Sequence, residues 1–232
     1  MSIGRAVMQL PGMRAPRVFC FLFFAVCASG RLAQADPSSP VAVGGHIPDC
    51  YSAVSSAVIQ YRWFKFPALG VLTVNARKRH FALVGLSQLG INVFELSETG
   101  GRLHSRMPGE LLKRHPEIAS GAAADVRQMF FDLVPSACAR QFPGTRDNAI
   151  IFQQPAPGGT LEYRLDQKSG HLREKRFLTP CKSFPGHRAV WLVRYEDYAA
   201  VGHHSYPRVI RFKHRDRHYG ITLFLKELRI KP

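Results

Sequence analysis

Residues 80–101 read HFALVGLSQLGINVFELSETGG, and their pattern decides the fold class. His80 to Leu86 is an apolar run of strand length. Ser87-Gln88-Leu89-Gly90 then has the polar-plus-glycine chemistry of a tight turn. Ile91 to Leu96 is strand-like again, and Thr99-Gly100-Gly101 marks a second turn. A parallel pair needs a crossover of a dozen residues or more, which four turn residues cannot supply. The two strands are therefore expected to pair antiparallel, as part of a meander rather than of βαβ units.

The same reading extends in both directions. Upstream, Leu69 to Ala76 and Val58 to Phe66 (VIQYRWFKF) are expected strands, the latter ended by Pro67, and a short helix is expected around Cys50 to Ala57. Downstream, Pro108-Gly109 opens an expected short helix, Glu110 to His115, closed by Pro116. A longer helix is expected from Ser120, a suitable N-cap, to Val134 before Pro135. Val126, Met129, Phe130 and Leu133 fall on one face of it at i, i+3, i+4, i+7 spacing.

Strands then return. Thr160 to Asp166 and His171 to Phe177 flank the turn Gln167-Lys168-Ser169-Gly170, followed by Ala189 to Tyr195, Val209 to Lys213 and Ile221 to Ile230. Period 2 places Trp191, Val193 and Tyr195 on one face. Ile221, Leu223 and Leu225 likewise share a face, but Leu228 and Ile230 have the opposite parity. A bulge near Lys226–Glu227 would restore the phase.

The N-terminus reads as a secretion signal. Arg5, Arg14 and Arg17 precede an apolar run, Val18 to Ala28, which is shorter than the roughly 20 residues a spanning helix needs. Ala33-Gln34-Ala35 has the A-x-A form of a cleavage site. An uncut membrane anchor is the plainer alternative. A second is lipidation at Cys27, which would make the chain an outer-membrane lipoprotein, although Val26 is a poor fit to the small residue expected before such a cysteine. The expected division is a signal peptide over 1–35, a flexible Pro/Gly/Ser-rich leader over 36–48, and one domain over 49–232, with the mature protein in the periplasm.

Charge and cysteines bound the partners. The chain carries 32 Lys and Arg against 16 Asp and Glu. The signal would remove four of the basic residues and none of the acidic ones, leaving a mature charge of +12. Such a surface attracts polyanions, including anionic lipid; export argues against nucleic acid. Cys50, Cys138 and Cys181 would remain, enough for one disulfide and one free thiol in an oxidising compartment. Residues Arg62-Trp63-Phe64-Lys65 and Arg211-Phe212-Lys213 interleave base and aromatic, which on strands reads as one buried and one solvated face.

Catalytic motifs are missing. The sequence has no GxSxG, no phosphate-binding loop, no GxGxxG and no CxxC. His203-His204 and the pair His214/His218 sit among Arg211, Lys213, Arg215 and Arg217, which would repel a metal cation. Neither an enzyme, nor a cofactor, nor a metal site is expected.

Three stretches, in order, resemble the LolA/LolB-like superfamily of outer-membrane lipoprotein carriers and receptors, nearest to LolB-related exported proteins of unknown function. They are His80–Gly101, with "LVGL" and "VFEL" around a glycine turn, Thr160–Phe177, and Tyr206–Ile230, with "YPR" and "YGITL". The start departs from LolB-like lipoproteins, since the A-x-A site suits a soluble, LolA-like arrangement better. The resemblance implies an α+β fold: a strongly curved antiparallel sheet, or half-open barrel, with two or three covering helices and an apolar cavity between them. It implies a non-enzymatic carrier or receptor binding acyl chains of lipids or lipoproteins, working with an anionic membrane surface and with a membrane transporter or partner carrier. The expected cavity wall is Phe81, Leu83, Phe94, Trp191, Val193, Tyr195, Ile221, Leu223 and Leu225. The alternative is a polyanion-binding envelope protein with a filled core, because a closed core produces the same alternation.

Overall fold

The computed structural model describes residues 47–106, 117–144, 148–181 and 186–231. The expected signal peptide, most of the leader and the expected helix Glu110–His115 lie outside these residues. Twelve strands and one helix are described. They run β1 (Cys50–Tyr61), β2 (Phe64–Asn75), β3 (His80–Leu86), β4 (Asn92–Thr99), β5 (Arg102–Arg106), α1 (Glu117–Phe130), β6 (Arg140–Pro143), β7 (Ala149–Ala156), β8 (Gly159–Asp166), β9 (Leu172–Pro180), β10 (His187–Val201), β11 (His204–His214) and β12 (Tyr219–Ile230).

All twelve strands form a single sheet in the order β5-β4-β3-β2-β1-β12-β11-β10-β9-β8-β7-β6, with antiparallel pairing at every step. The first and last strands pair as the fifth and sixth of the twelve. The edges are β5 and β6, which do not pair with each other, so the sheet is open. The chain passes from one edge to the other through the segment that contains α1.

That connection shows how far the sheet curls. Glu98 on β4 pairs with Arg127 of α1, while Lys175 on β9 donates to the carbonyl of the next helix residue, Gln128, at 3.2 Å. Strands β4 and β9 are seven places apart, which on a flat sheet is about 34 Å at about 4.8 Å per spacing. A helix is only about 10 Å across. The sheet must therefore wrap around α1, which lies on its concave side. The curved open antiparallel sheet matches the expected architecture; of the two or three covering helices, the described residues contain α1 alone.

Several expected elements are corrected. Cys50–Ala57 is the first half of β1, not a helix: Tyr51, Ala53 and Ser55 point inward at period 2, and their mixture of small and polar neighbours hides the alternation. Val58–Phe66 is not one strand but a hairpin, turning at Arg62-Trp63 with Arg62 in the left-handed region (φ 54°). No glycine, asparagine or aspartate marks that turn. Pro67 lies within β2, opposite Val58, where β2 extends beyond its pairing with β3 and so meets the edge condition under which strands accept proline. Helix α1 begins before Ser120, whose hydroxyl donates to the Glu117 carbonyl instead of capping. It ends at Phe130 rather than Val134, with Asp132 in the left-handed conformation (φ 51°) of a helix C-cap. Strands β5, β6 and β7 have no counterpart among the expected elements.

Other readings hold. The turns at 87–90, 99–101 and 167–170 join the expected strands, with Gly90, Gly100, Gly101 and Gly170 at positive φ. Lys226 is the bulge: Val54 pairs with Glu227 and Ser55 with Leu225, so Lys226 has no partner and Leu225 and Leu228 are both buried.

Candidate functional site

The concave face under α1 collects the apolar side chains that period 2 turns inward. Residues Tyr163, Lys175, Val193, Phe212 and Ile221 form one row across β8, β9, β10, β11 and β12. From above, α1 contributes Ala119, Ala123, Val126, Met129 and Phe130, with Phe131 following. Phe131 packs on Phe81 with ring centroids 6.3 Å apart.

The expected cavity wall divides into three groups. Phe81, Trp191, Val193, Tyr195 and Leu225 are buried within the central cluster. Leu83, Ile221 and Leu223 are half-buried against it. Phe94 stands apart, over Gly85, where its ring occupies the space a Cβ would take. Eight of the nine are thus brought together.

Five polar contacts among the described residues hold α1 and the residue after it to the sheet. The Tyr195 hydroxyl donates to the Met129 carbonyl at 3.0 Å, and Lys175 donates to the Phe131 carbonyl at 2.7 Å as well as to Gln128. Tyr219 donates to the Asp125 carboxylate, and Arg127 pairs with Glu98. Lys175 also faces the rings of Tyr163 and Trp191, 5.9 and 5.8 Å from their centroids. Burial lowers its ammonium to about 8, against the pull of Asp132. Burial likewise raises the Asp125 carboxyl to about 6, opposed by the Tyr219 hydrogen bond and by Arg217. Both groups lie between helix and sheet, so both report on how tightly α1 is seated.

Directly beneath α1 the interior is nearly filled. The void bounded by Met129, Tyr195, Ile210, Leu225 and Leu228 holds about 10 Å³, no more than one water needs. A larger pocket of about 620 Å³ opens beside it, at the C-terminal end of α1. Ile47, Tyr51, Phe130 and Leu133 line both spaces, so the pocket is a mouth on the seam between helix and sheet. Leu172 and Tyr198 extend its apolar wall, and Asp49, Asp132 and His204 add polar groups. None of the nine expected wall residues lines this mouth. The helical spacing marks Phe130 and Leu133 as one face, but nothing in the sequence joins them to Tyr51, Leu172 and Tyr198, which lie on β1, β9 and β10, far apart in the chain.

At the mouth Asp49 pairs with Arg77 and Asp132 with Arg79, and beside it the Ser205 hydroxyl lies 3.2 Å from the His171 ring, which stacks on Tyr198. Among the described residues no three His, Cys, Asp or Glu side chains are placed to hold a metal ion. His214 is buried and stacks on Tyr219 at 5.7 Å, its ring accepting the backbone N–H of Arg217. No disulfide joins Cys50, Cys138 and Cys181 to one another. No helix among the described residues is long and apolar enough to cross a membrane.

Comparison with known structures places this geometry. A LolA superfamily protein from Nitrosomonas europaea superposes with a TM-score of 0.53 at 8% identity, covering 81% of this chain and 89% of that one. An outer membrane lipoprotein-sorting protein domain from Vibrio parahaemolyticus gives 0.46 at 7% identity, with 78% and 85% covered. A DUF1329 family protein from Desulfovibrio piger gives 0.43 at 7%, with 79% and 86% covered. The first of these shows that the chain has the LolA-superfamily fold, in agreement with the resemblance read from residues 80–101, 160–177 and 206–230. No curated protein sequence matches it. The profile of a family described as "Protein of unknown function (DUF3261)" matches residues 67–225.

Proposed function

The chain belongs to the DUF3261 family, and from that family's LolA-like fold we propose a non-enzymatic carrier or receptor for acyl chains of lipids or lipoproteins. It works in the periplasm after cleavage behind Ala35. The observation that carries this reading is the shared lining of the two spaces: an open mouth of about 620 Å³ continues, through Ile47, Tyr51, Phe130 and Leu133, into the apolar seam under α1. The mouth has the size of a small-ligand site, about 300–1,000 Å³. A sixteen-carbon chain exposed to water costs on the order of 10 kcal/mol, which is the reason to shelter it.

In this reading the chain enters at the mouth and α1 shifts to admit it onto the wall formed by Phe81, Trp191, Val193, Tyr195, Leu223 and Leu225. Trp191 reports the event. A Trp63→Phe variant leaves Trp191 as the only tryptophan, and adding fatty acid or lipopeptide should change its emission. Protein that neither co-purifies with lipid nor responds at Trp191 would sink the carrier. The near-absence of empty space under α1 favours one alternative, a polyanion-binding envelope protein with a filled core. That protein would bind acidic polymers in a salt-dependent way and leave Trp191 unchanged.

A further inference from the structure

At the end of the sheet away from the mouth, the β1–β2 and β11–β12 hairpins lie side by side. Tyr61 pairs with Tyr219, and the Arg62 amide donates to the His218 carbonyl at 3.3 Å. The β1–β2 tip exposes large aromatic side chains: Trp63 is 75% exposed, Phe64 54% and Phe66 53%. Their rings touch in series, Trp63 to Phe64 at 5.8 Å and Phe64 to Phe66 at 6.2 Å. Water makes this arrangement costly, and nothing among the described residues covers it. Exposed apolar groups in contact with one another mark a surface that meets another phase or partner.

Charge identifies the partner. The Arg62 guanidinium lies over the Tyr61 and Trp63 rings at 5.6 and 6.0 Å, and Lys65 is the next basic residue along the tip. A hollow of about 780 Å³ adjoins it, lined by Arg62, Lys213 and Arg215 and by no acidic residue. Gly220 is among its lining residues and pairs with Gln60 on one side and Lys213 on the other. Arg62, Lys65, Lys213 and Arg215 have no carboxylate partner among the described residues, in contrast to Arg194 and Arg211, which pair with Glu174 and Glu196. Aromatic rings at a tip with unpaired cations behind them suit a bilayer boundary, where rings settle at headgroup depth and cations meet phosphate.

We propose that this rim is a docking surface for anionic lipid bilayers: Trp63, Phe64 and Phe66 enter the interface, and Arg62, Lys65, Lys213 and Arg215 hold lipid phosphates against the hollow at Gly220. The surface stands apart from the mouth beside α1 and does not depend on the acyl-chain reading.

Vesicle flotation of the mature chain tests it, with vesicles of equal parts phosphatidylglycerol and phosphatidylcholine compared with phosphatidylcholine alone. The mixed vesicles should bind the protein and the neutral ones should not. Replacing Arg62, Lys65 and Arg215 together by Ala should weaken binding by roughly a hundredfold. A single Lys65→Glu should lower it in the same direction, which keeps the test open if the triple variant does not fold. Brominated lipid should quench the emission of bound wild-type protein but not of Trp63→Phe, because Trp191 is buried. Equal binding to both vesicle types, or bound protein whose Trp63 stays unquenched, overturns the proposal, as does binding of inorganic phosphate without any binding of vesicles. Titration of the same variants with a fluorescent fatty acid reads the acyl site separately and should match wild type.

Discussion

The Lys175 ammonium donates to the Phe131 carbonyl at 2.7 Å and so closes the C-terminal end of α1 from beneath, on the concave face of the sheet. A cation at a helix C-terminus is favourable, yet this one is buried with no carboxylate in contact, so its charged form is penalised. Unfolded, it would titrate near 10.5; folded, it titrates at about 8. Between those values the unfolded chain holds the extra proton, so stability should rise with pH. As pH approaches 10 the trend is opposed by Tyr51, Tyr163, Tyr195, Tyr198 and Tyr219, whose hydroxyls burial raises above their ordinary value, so that the unfolded chain loses their protons first. Denaturant melts from pH 8 to 9, below the range in which the tyrosines titrate, should gain about 1 kcal/mol. Lys175→Met, which keeps the stem's packing, should lose that gain. A wild-type stability that falls across the window would contradict the burial of the charge.

Asp125 gives the opposite slope. Its carboxyl is raised to about 6 from 3.8, chiefly by burial. Between those values the folded chain holds the extra proton, so this group adds stability as pH falls from 7 toward 4. Asp125→Asn keeps a hydrogen-bond acceptor for Tyr219 and removes the charge. The variant should melt higher than wild type at pH 7, and the difference should shrink by pH 4. A difference that grows toward acid would show that the carboxylate is stabilised in the fold rather than penalised.

The bulge at Lys226 makes a sharper prediction, because it rests on register alone. Val54 pairs with Glu227 and Ser55 with Leu225, so deleting Lys226 leaves every neighbouring pair as it is. The deletion should fold and melt within a few degrees of wild type. Deleting Lys226 and Glu227 together moves Leu228 opposite Val54, onto the outer face. Losing the burial of that leucine alone costs about 2 kcal/mol, and the residues beyond it go out of phase as well. Thermal melts of the two deletions should therefore differ widely; equal melts would mean that the bulge does not set the register.

The same bulge shows what the sequence made legible. A phase slip between Leu225 and Leu228 is visible in one dimension, as is the alternation of Trp191, Val193 and Tyr195, because both depend only on period 2. The Arg62-Trp63 turn was illegible, since it uses a left-handed arginine where glycine or asparagine would have signalled it. Cys50–Ala57 carries no strand signal, because its outward residues, Ser52, Val54 and Ser56, are no more polar than its inward Ser55. The mouth was hidden for another reason: Ile47, Tyr51, Leu133, Leu172 and Tyr198 come together only once the sheet has curled round α1.

Val134 offers the most direct test of that mouth. It is 51% exposed, lies just past the C-terminal end of α1 and lines the pocket of about 620 Å³. An exposed position tolerates a larger side chain, so Val134→Trp should fold normally and melt within a few degrees of wild type. Its indole would occupy the route between solvent and the seam under α1. If acyl chains pass through the mouth, the variant should bind a fluorescent fatty acid several-fold more weakly, or load it several-fold more slowly, than wild type. Leu223→Asp, placed deeper on the proposed wall, should also abolish binding, but through loss of stability, since it sets an unpaired charge against the core. Comparing the two separates blockage from unfolding: Val134→Trp lowers binding with circular dichroism unchanged, whereas Leu223→Asp lowers both. A Val134→Trp protein that takes up the probe at the wild-type rate and affinity would place the acyl route somewhere other than the mouth.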